Sequence, residues 1–357
     1  MSIVQYQLKL ILRPAQERQL RRWLWHLTGV YNWAVRKIEL DAADRRYWST
    51  YSLEALLVGH SRRLGIPARV LERTARQGHD AWRRCFSKLG GQPRLKGRRN
   101  RLNSIPFPDP IAFFTGRRVR VSGLGSLKCH YQAIPPGRIK ASRIVRRASG
   151  WYLCLFVEAE PRAIELNGNG EVGIDPGFGS LLTLSTGEKI EHPHELKETA
   201  IRLAQAQRGY RKRLTARLQE RIGNQRKDRN HKLSRRLVAE NAVIGWSKDA
   251  HQNIAKRFGK SVASAAHGQL RQMLAYKSRA GGREFIEVPS RNSTRACSAC
   301  RALTGPTGWR GLKVRQWVCV GCGCEHDRDV NAALNTLIAA RGLRVEKPGD
   351  GPSGMAA

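Results

Sequence analysis

Acidic side chains are scarce in this chain: 28 Asp and Glu stand against 65 Lys and Arg, a formal net charge of +37. A compact protein with that self-repulsion is expected to meet a polyanion, and nucleic acid explains the excess better than solubility does. Long apolar runs are missing too. None approaches the ~18 residues that a membrane-spanning helix needs, so an anionic membrane surface competes only as a platform to bind. The start of the sequence has no basic n-region followed by an apolar h-region, and a cytosolic location is expected. A disulfide framework is also lacking. Of the 8 cysteines, Cys85, Cys129 and Cys154 stand alone, while Cys297, Cys300, Cys319, Cys322 and Cys324 fall close together. In a reducing compartment such clustering reads as a metal site.

What is present is a globular composition, 41% hydrophobic over 357 residues, enough for two or three domains. Residues 2–12, SIVQYQLKLIL, alternate like a strand. Pro14 opens a helical pattern through Leu20, Trp23, Leu24, Leu27, Val30, Tyr31 and Ala34. Further helix is expected over 52–64 and 68–89, broken at Gly65-Ile66-Pro67, with Trp23, Trp25, Trp33 and Trp82 in its core. A basic loop, RLKGRRNR (94–101), ends this block, and residues 105–160 return to strand-like alternation. NGNG at 167–170 reads as the turn into a second domain. There EVGIDPGFGSLLTLSTGEKI forms a hairpin around Pro176 and Gly177, and a helix or helix pair covers about 196–240. Between Arg208 and Arg236 that helical stretch carries 12 Lys and Arg but only Glu220 and Asp228 as acids. Charge so one-sided suits phosphate tracking better than i,i+4 pairing. Candidate contacts are Arg94, Lys96, Arg98 and Arg99 in the loop, with Arg208, Arg211, Lys212, Arg213, Arg217, Arg226, Lys227, Arg229 and Arg235 on the helices.

Cys297-x-x-Cys300 and Cys319-x-x-Cys322, 18 residues apart, have zinc-ribbon spacing. Each knuckle sets two thiolates on one side of a tight turn, and two knuckles complete a closed, structural tetrahedron. Cys324 is a spare that competes for the fourth position. Asp329 follows at the start of an apolar-periodic helix, and Asp175 stands in GIDPG at a strand end; taken alone, the first reads as a helix-start acid and the second as a turn residue.

Taken together, V-G-I-D-P-G (172–177), the basic helices, L-x-Y-K (274–277), S-T-x-x-C-S-x-C (293–300), R-x-W-x-C-x-x-C (315–322) and H-D-R-D-x-N-A-A (326–333) resemble the TnpB family. Its members are transposon-encoded RNA-guided nucleases that look ancestral to type V CRISPR effectors. The resemblance spans nearly the whole chain and implies an α+β multidomain fold. It implies a β-barrel or wedge domain (1–13 and 105–165) with a helical REC-like insertion (14–104). An RNase H-like RuvC domain (171–290) would follow, with an inserted zinc ribbon (291–325), a closing helix (326–344) and a disordered tail (345–357). It further implies an omega-type guide RNA, a double-stranded DNA target read beside a short adjacent motif, and a bacterial, nucleoid-associated location.

RuvC chemistry needs at least three carboxylates around two Mg²⁺ ions ~4 Å apart. By resemblance Asp175 is the first and Asp329 the last, with Asp327 a nearby alternative. The middle acid is the difficulty. One lineage carries a Glu at a strand end, where this chain reads AVIGWSKDA, with Gly245, Trp246 and Ser247. The other carries it before the first knuckle, at Ser290 here, with an Asp at the position of Ser264. Glu287 and Asp249 are possible substitutes, although the odd offset of Glu287 from Ser290 turns it to the other face of a strand. The resulting expectation is a guide-RNA-directed DNA-binding repressor with structural zinc and weak or non-productive Mg²⁺. An active endonuclease using a substitute acid is the alternative. On either reading, nucleic-acid affinity of the purified chain should fall about 10³-fold or more between roughly 50 and 200 mM salt if six or more phosphates are neutralised. A flat salt dependence in filter binding would contradict the polyanion assignment.

Overall fold

The computed structural model describes residues 2–98, 100–108, 113–114, 117–130, 137–160, 163–177, 179–192, 194–248, 266–307, 311 and 313–345. Arg99, Asp249, Ser264 and the tail beyond Val345 lie outside these residues. The chain divides into two compact units, Met1–Pro161 and Arg162–Ala357.

In the first unit, strand β1 (Ser2–Ile11) pairs antiparallel with β7 (Gly150–Ala159), and its last residues, Leu10 and Ile11, also pair with β5 (Gly125–Cys129). With β2 (Ser104–Phe107), β3 (Phe113–Phe114), β4 (Arg118–Val121) and β6 (Arg138–Arg147), the order is β2-β6-β7-β1-β5-β4-β3. Among the described residues β2 and β3 do not pair, so the strands of the expected β-barrel form an open half-barrel. The reason is in the core. Leu8, Ile105, Val119, Leu127, Ile144 and Leu153 meet Leu20, Trp23 and Leu27 of helix α1 (Pro14–Ala43). A helix fills the concave face that closure would need.

Proline at the first helical position suits α1, because its missing N–H has no intrahelical partner there anyway. Short helices α2 (Thr50–Ala55) and α3 (His60–Leu64) follow, and Gly65, at φ 63°, ends α3 ahead of α4 (Ala68–Phe86). Helices α1 and α4 cross closely at Gly78, where a Cβ would lie 3.0 Å from that of Ala34. Trp23 and Trp82 are core residues and Trp33 packs at the core margin, but Trp25 is 58% exposed. The core takes positions 20, 23, 24 and 27, which leaves 25 on the outer side of the helix.

The second unit contains the sheet β10-β9-β8-β11-β12, from β8 (Gly170–Pro176), β9 (Leu182–Leu184), β10 (Lys189–Ile190), β11 (Asn241–Lys248) and β12 (Glu284–Pro289). Strands β8, β11 and β12 are parallel, while β9 and β10 turn back as a meander, one strand more than the expected hairpin. The basic stretch is a helix pair, α5 (His194–Arg208) and α6 (Lys212–Glu240). NGNG belongs inside this unit, because the Asn167 and Gly168 amides donate to the Ala239 carbonyl at 3.0 and 3.1 Å.

One sheet face carries Val172, Ile174, Ile244 and Trp246 against Leu233 and Leu237 of α6 and Leu270 and Leu274 of α7 (His267–Ala280). The other face receives α8 (Arg328–Val345) on two glycines. A Cβ at Gly173 would overlap the Ala333 carbonyl oxygen and fall 2.6 Å from the Leu337 nitrogen; one at Gly245 would lie 3.0 Å from the Ala340 Cβ. A two-stranded ribbon, β13 (Gln316–Val318) with β14 (Glu325–Asp327), precedes α8. No described helix is long and apolar enough to cross a membrane.

Because helix backbone rests directly on Gly173, Gly173→Ala should destabilise the protein by about 1–3 kcal/mol or more. Gly268→Ala, in open space on α7, should be neutral or stabilising by up to ~1 kcal/mol. Urea midpoints measure both, and equal midpoints would refute the close-approach argument.

Candidate metal centre and acidic row

The four knuckle cysteines converge. The Sγ atoms of Cys297, Cys300, Cys319 and Cys322 lie within 4.8 Å of one another, with Cys297–Cys322 at 3.7 Å and Cys300–Cys319 at 3.6 Å. A tetrahedron with ~2.3 Å Zn–S bonds has edges of about 3.8 Å, so the donor set fits zinc. The Thr304 hydroxyl, 3.2 Å from the Cys319 sulfur, favours its thiolate and holds that thiol at about 6. The Cys324 amide also favours the Cys322 thiolate, but the neighbouring Cys300, Cys324 and Cys297 sulfurs outweigh it and push that thiol up. Four crowded sulfurs ionise together only around a cation. Cys324 stays outside the cluster, exposed, its carbonyl accepting from the Cys319 amide at 2.9 Å. His326, whose ring lies 4.7 Å from that of Trp317, brings Nε2 to 3.0 Å from the Cys297 sulfur.

Sequence reasoning missed the residues that attach this centre to α8. Asn331 donates to the Ala296 carbonyl at 2.8 Å and accepts from the Ser298 amide at 2.8 Å. One turn later Asn335 donates to Ala296 and Ser293 carbonyls at 2.7 and 2.8 Å and accepts from Arg301 at 2.9 Å. The available signal was their i,i+4 spacing on a helix beside the first knuckle. Lys277, the lysine of L-x-Y-K, is a similar tie: its Nζ donates to the His231 carbonyl (2.6 Å) and the Ser234 hydroxyl (2.7 Å). Burial, then Arg235, lower its pKa to about 8.

The acidic residues are set by register. Asp175 pairs across to Thr183, and Thr183 to Lys189. On the other side Ile174 is level with Trp246, so one step further Asp175 is level with Ser247, which is level with Val288. Gly173 contacts α8, and alternation puts Asp175 on the same face. Helix α8 runs antiparallel to β8: Arg341 pairs with Glu171, and Ala333 and Leu337 cover Gly173. Its first turn, with Asp329, therefore lies at the Asp175 end. Asp327 marks the same end, its Oδ2 bonded to Lys189 at 2.6 Å.

Each sequence candidate has a definite environment. Asp327 caps α8, its Oδ1 accepting from the Asp329 and Val330 amides at 3.0 Å. Burial would raise its carboxyl, but Lys189 and those amides outweigh it and hold the pKa below the ordinary carboxylate range. Asp329 is clasped by Arg315 (3.0 Å) and Arg328 (3.2 Å). Trp246 does not share the Asp175 face; it packs with Leu270 and Leu274 and lies edge-on to His267. The position beside Asp175 on that strand is Ser247, fully buried, with no hydrogen-bond partner for its Oγ among the described residues. Glu287 shares the Trp246 row and pairs with Arg271 of α7 at 3.0 Å, away from Asp175. Ser290 follows the end of β12, its carbonyl accepting from the Ser293 amide and hydroxyl at 3.2 and 3.0 Å. Among the described residues, the only grouping of three or more potential metal ligands is the cysteine cluster. Among the described residues Asp175, Asp327 and Asp329 stand at this end, Asp327 bound to Lys189 and Asp329 clasped by arginines, and they do not form the close group of carboxylates that a two-metal centre needs.

Of the basic candidates, Arg94, Arg98, Arg208, Arg211, Lys212, Arg213, Arg217, Lys227 and Arg235 are exposed. Lys96 is tied to α1 through Asn32, and its ammonium lies 5.7 Å from the Tyr31 ring. Arg226 and Arg229 are half-buried; Arg229 bonds the Asn230 side chain, and burial lowers its pKa. They serve the packing of α6 more than an outer surface.

Residues 155–248 match a family described as a probable transposase of the OrfB, IS605 type, and residues 267–336 match the Cas12f1-like TNB domain. A Streptomyces pristinaespiralis protein named as an RNA-guided DNA endonuclease is 33% identical, over 79% of this chain and 73% of its own. The Escherichia coli K12 protein InsQ, similarly named, is 24% identical over 94% of this chain and 92% of its own. A solved Cas12f1–sgRNA–target DNA complex aligns with 94% of this chain and 99% of its own at 16% identity, with a TM-score of 0.39.

The geometry of the cysteine cluster predicts one zinc per chain by elemental analysis. Cys322→Ser should lose that metal, and Cys324→Ser should keep it. Metal loss in Cys324→Ser with retention in Cys322→Ser would exchange their assignments.

Proposed function

The chain belongs to the TnpB-type family of RNA-guided DNA endonucleases, and from that premise we propose that it is an RNA-guided DNA-binding protein with an incomplete nuclease site. Its partners on this reading are an omega-type guide RNA and double-stranded target DNA beside a short adjacent motif. Binding without cutting makes it a programmable roadblock, in effect a transcriptional repressor in the bacterial nucleoid. The half-barrel and its helices correspond to the wedge and REC parts, and the five-stranded sheet with its ribbon to an RNase H-like RuvC domain.

The observation that carries the proposal is the register of Ile174 with Trp246, which, continued by one residue, sets Ser247 beside Asp175, between Thr183 and Val288. The neighbour of Asp175 that faces the same way is a hydroxyl, Ser290 is another, and Glu287 is engaged by Arg271 on the opposite face. Three carboxylates are needed close together to hold two cations at the attacking and leaving oxygens, and among the described residues no such group stands on this face. Holding makes no such demand. An RNA–DNA duplex is gripped through its backbone and A-form shape while base pairing supplies sequence, and the exposed arginines of α5 and α6 suit that grip.

The test is the purified ribonucleoprotein, with its co-purifying RNA sequenced and a matched duplex supplied with Mg²⁺. The expected result is tight, guide-dependent binding without strand breaks. Breaks that vanish on Asp175→Ala would overturn the proposal and favour an active endonuclease. Ser290→Glu or Ser247→Asp should gain measurable cutting if the defect is confined to the middle carboxylate.

A further inference from the structure

Helices α1 and α4 end side by side, and their C-terminal turns bound a cleft of about 190 Å³ lined by Ile38, Tyr47, Trp48, His79, Trp82 and Phe86, with Arg46 and Arg83 at its rim. Its aromatic content exceeds what the core requires. Trp82 and Ile38 are buried core residues, whereas Tyr47 is 81% and Phe86 57% exposed. Trp82 and Phe86 stack at 5.3 Å with an interplanar angle of 24°. The opposite wall is fixed in advance. The Trp48 indole N–H donates to Asp41 at 2.5 Å, Lys37 lies 4.8 Å from the Trp48 ring centre, and His79 Nε2–H donates to the Trp48 carbonyl at 3.0 Å. That leaves His79 Nδ1 without a partner among the described residues.

Both helix ends close in the same uncommon way. The Arg46 amide reaches back to the Asp41 carbonyl and the Leu89 amide to that of Arg84, each at 2.8 Å, while Arg45 and Lys88 take φ of 57° and 56°. Glycine is the usual residue in that left-handed position, and a side chain there is strained. Helix C-termini attract cations, which accounts for the charge but not for tolerating the strain twice beside one cleft.

We propose that this cleft captures one unpaired nucleobase of a single-stranded nucleic acid, stacked on the aromatic rings while Arg46, Arg83, Arg45 and Lys88 hold its flanking phosphates. The volume supports a single base: drug-sized ligands occupy roughly 300–1,000 Å³, and this cleft is smaller. Sequence-tolerant binding of single strands uses this combination of aromatic platforms and cations. The proposal rests on the nucleic-acid reading above and deepens it.

The experiment uses the full-length chain with ten-nucleotide RNA and DNA oligomers of the same sequence, read by fluorescence anisotropy, with photo-crosslinked residues mapped by mass spectrometry. Tyr47→Ala and Phe86→Ala should each weaken binding about 5- to 100-fold, and Tyr47→Phe should retain it. The melting temperature of Tyr47→Ala should match wild type, since that side chain is largely in solvent. Crosslinks are expected at Tyr47, Trp48 or Phe86, and the tighter oligomer shows which nucleic acid supplies the base. Unchanged affinity in both alanine variants, with crosslinks elsewhere, overturns the cleft while leaving guide-RNA binding intact. Failure of wild-type chain to bind any RNA or DNA removes both readings. Burial of these rings only on self-association, seen by sedimentation, assigns the face to a second copy and also overturns base capture.

Discussion

Helix α8 rests on two neighbouring strands at positions that carry no side chain, Gly173 and Gly245. Gly173 and Gly245 let its backbone approach the sheet to a distance that a methyl group would forbid, and the small faces of Ala333 and Ala340 meet them from the helix. The rest of the second unit follows from this contact. It brings the first turn of α8 to the end of β8 where Asp175 stands. Through Asn331 and Asn335 it holds the first knuckle of the ribbon against the same helix. The glycine of V-G-I-D-P-G and the asparagine and alanines of D-x-N-A-A are therefore one packing solution seen from two sides. Their place in this chain has a mechanical reason that does not depend on catalysis.

Acids are so few in this chain that their partners matter individually. Asp327 is bound to Lys189, Asp329 to Arg315 and Arg328, Glu287 to Arg271, and Glu188 to Arg236. These exposed or half-exposed pairs contribute little each, but they neutralise the acids that would otherwise repel a phosphate backbone. Exposed arginines and lysines on α5 and α6 then dominate the field presented to a partner.

Much of this was legible in the sequence because it rests on period and spacing. The strand of residues 2–11, the Pro14 helix, the helix pair of the basic region and the four cysteine ligands all follow from local rules. What was not legible depends on packing between distant segments. Alternation alone could not reveal that a helix fills the half-barrel and prevents its closure. It could not separate Trp246 from Ser247 as the neighbour of Asp175 either, because that needs the register of β8 on β11 and the face that α8 covers. The odd offset of Glu287 was the exception: parity alone turned it away from the acidic row, and its pairing with Arg271 agrees. The roles of Asn331 and Asn335 were hidden because their acceptors are backbone carbonyls more than thirty residues away.

On the reading proposed above, Asp175 and Asp329 remain from a three-acid site, and for Asp329 the structure offers a role that does not depend on cutting. Asp329 joins Arg315, on the ribbon side, to Arg328 at the start of α8, so removing it would free two cations at the junction that positions the knuckles. Ser247 has no such duty. It is fully buried, level with Asp175 when the Ile174–Trp246 register is continued by one residue, and a carboxylate there without a divalent cation would face a like charge in low dielectric, where one of the pair must take up a proton. In a protein that did not need to cut, a middle acid would thus be the member of the site whose presence costs most and whose loss disturbs least. A hydroxyl level with Asp175, and an Asp329 held by two arginines, is what such a relaxation would leave.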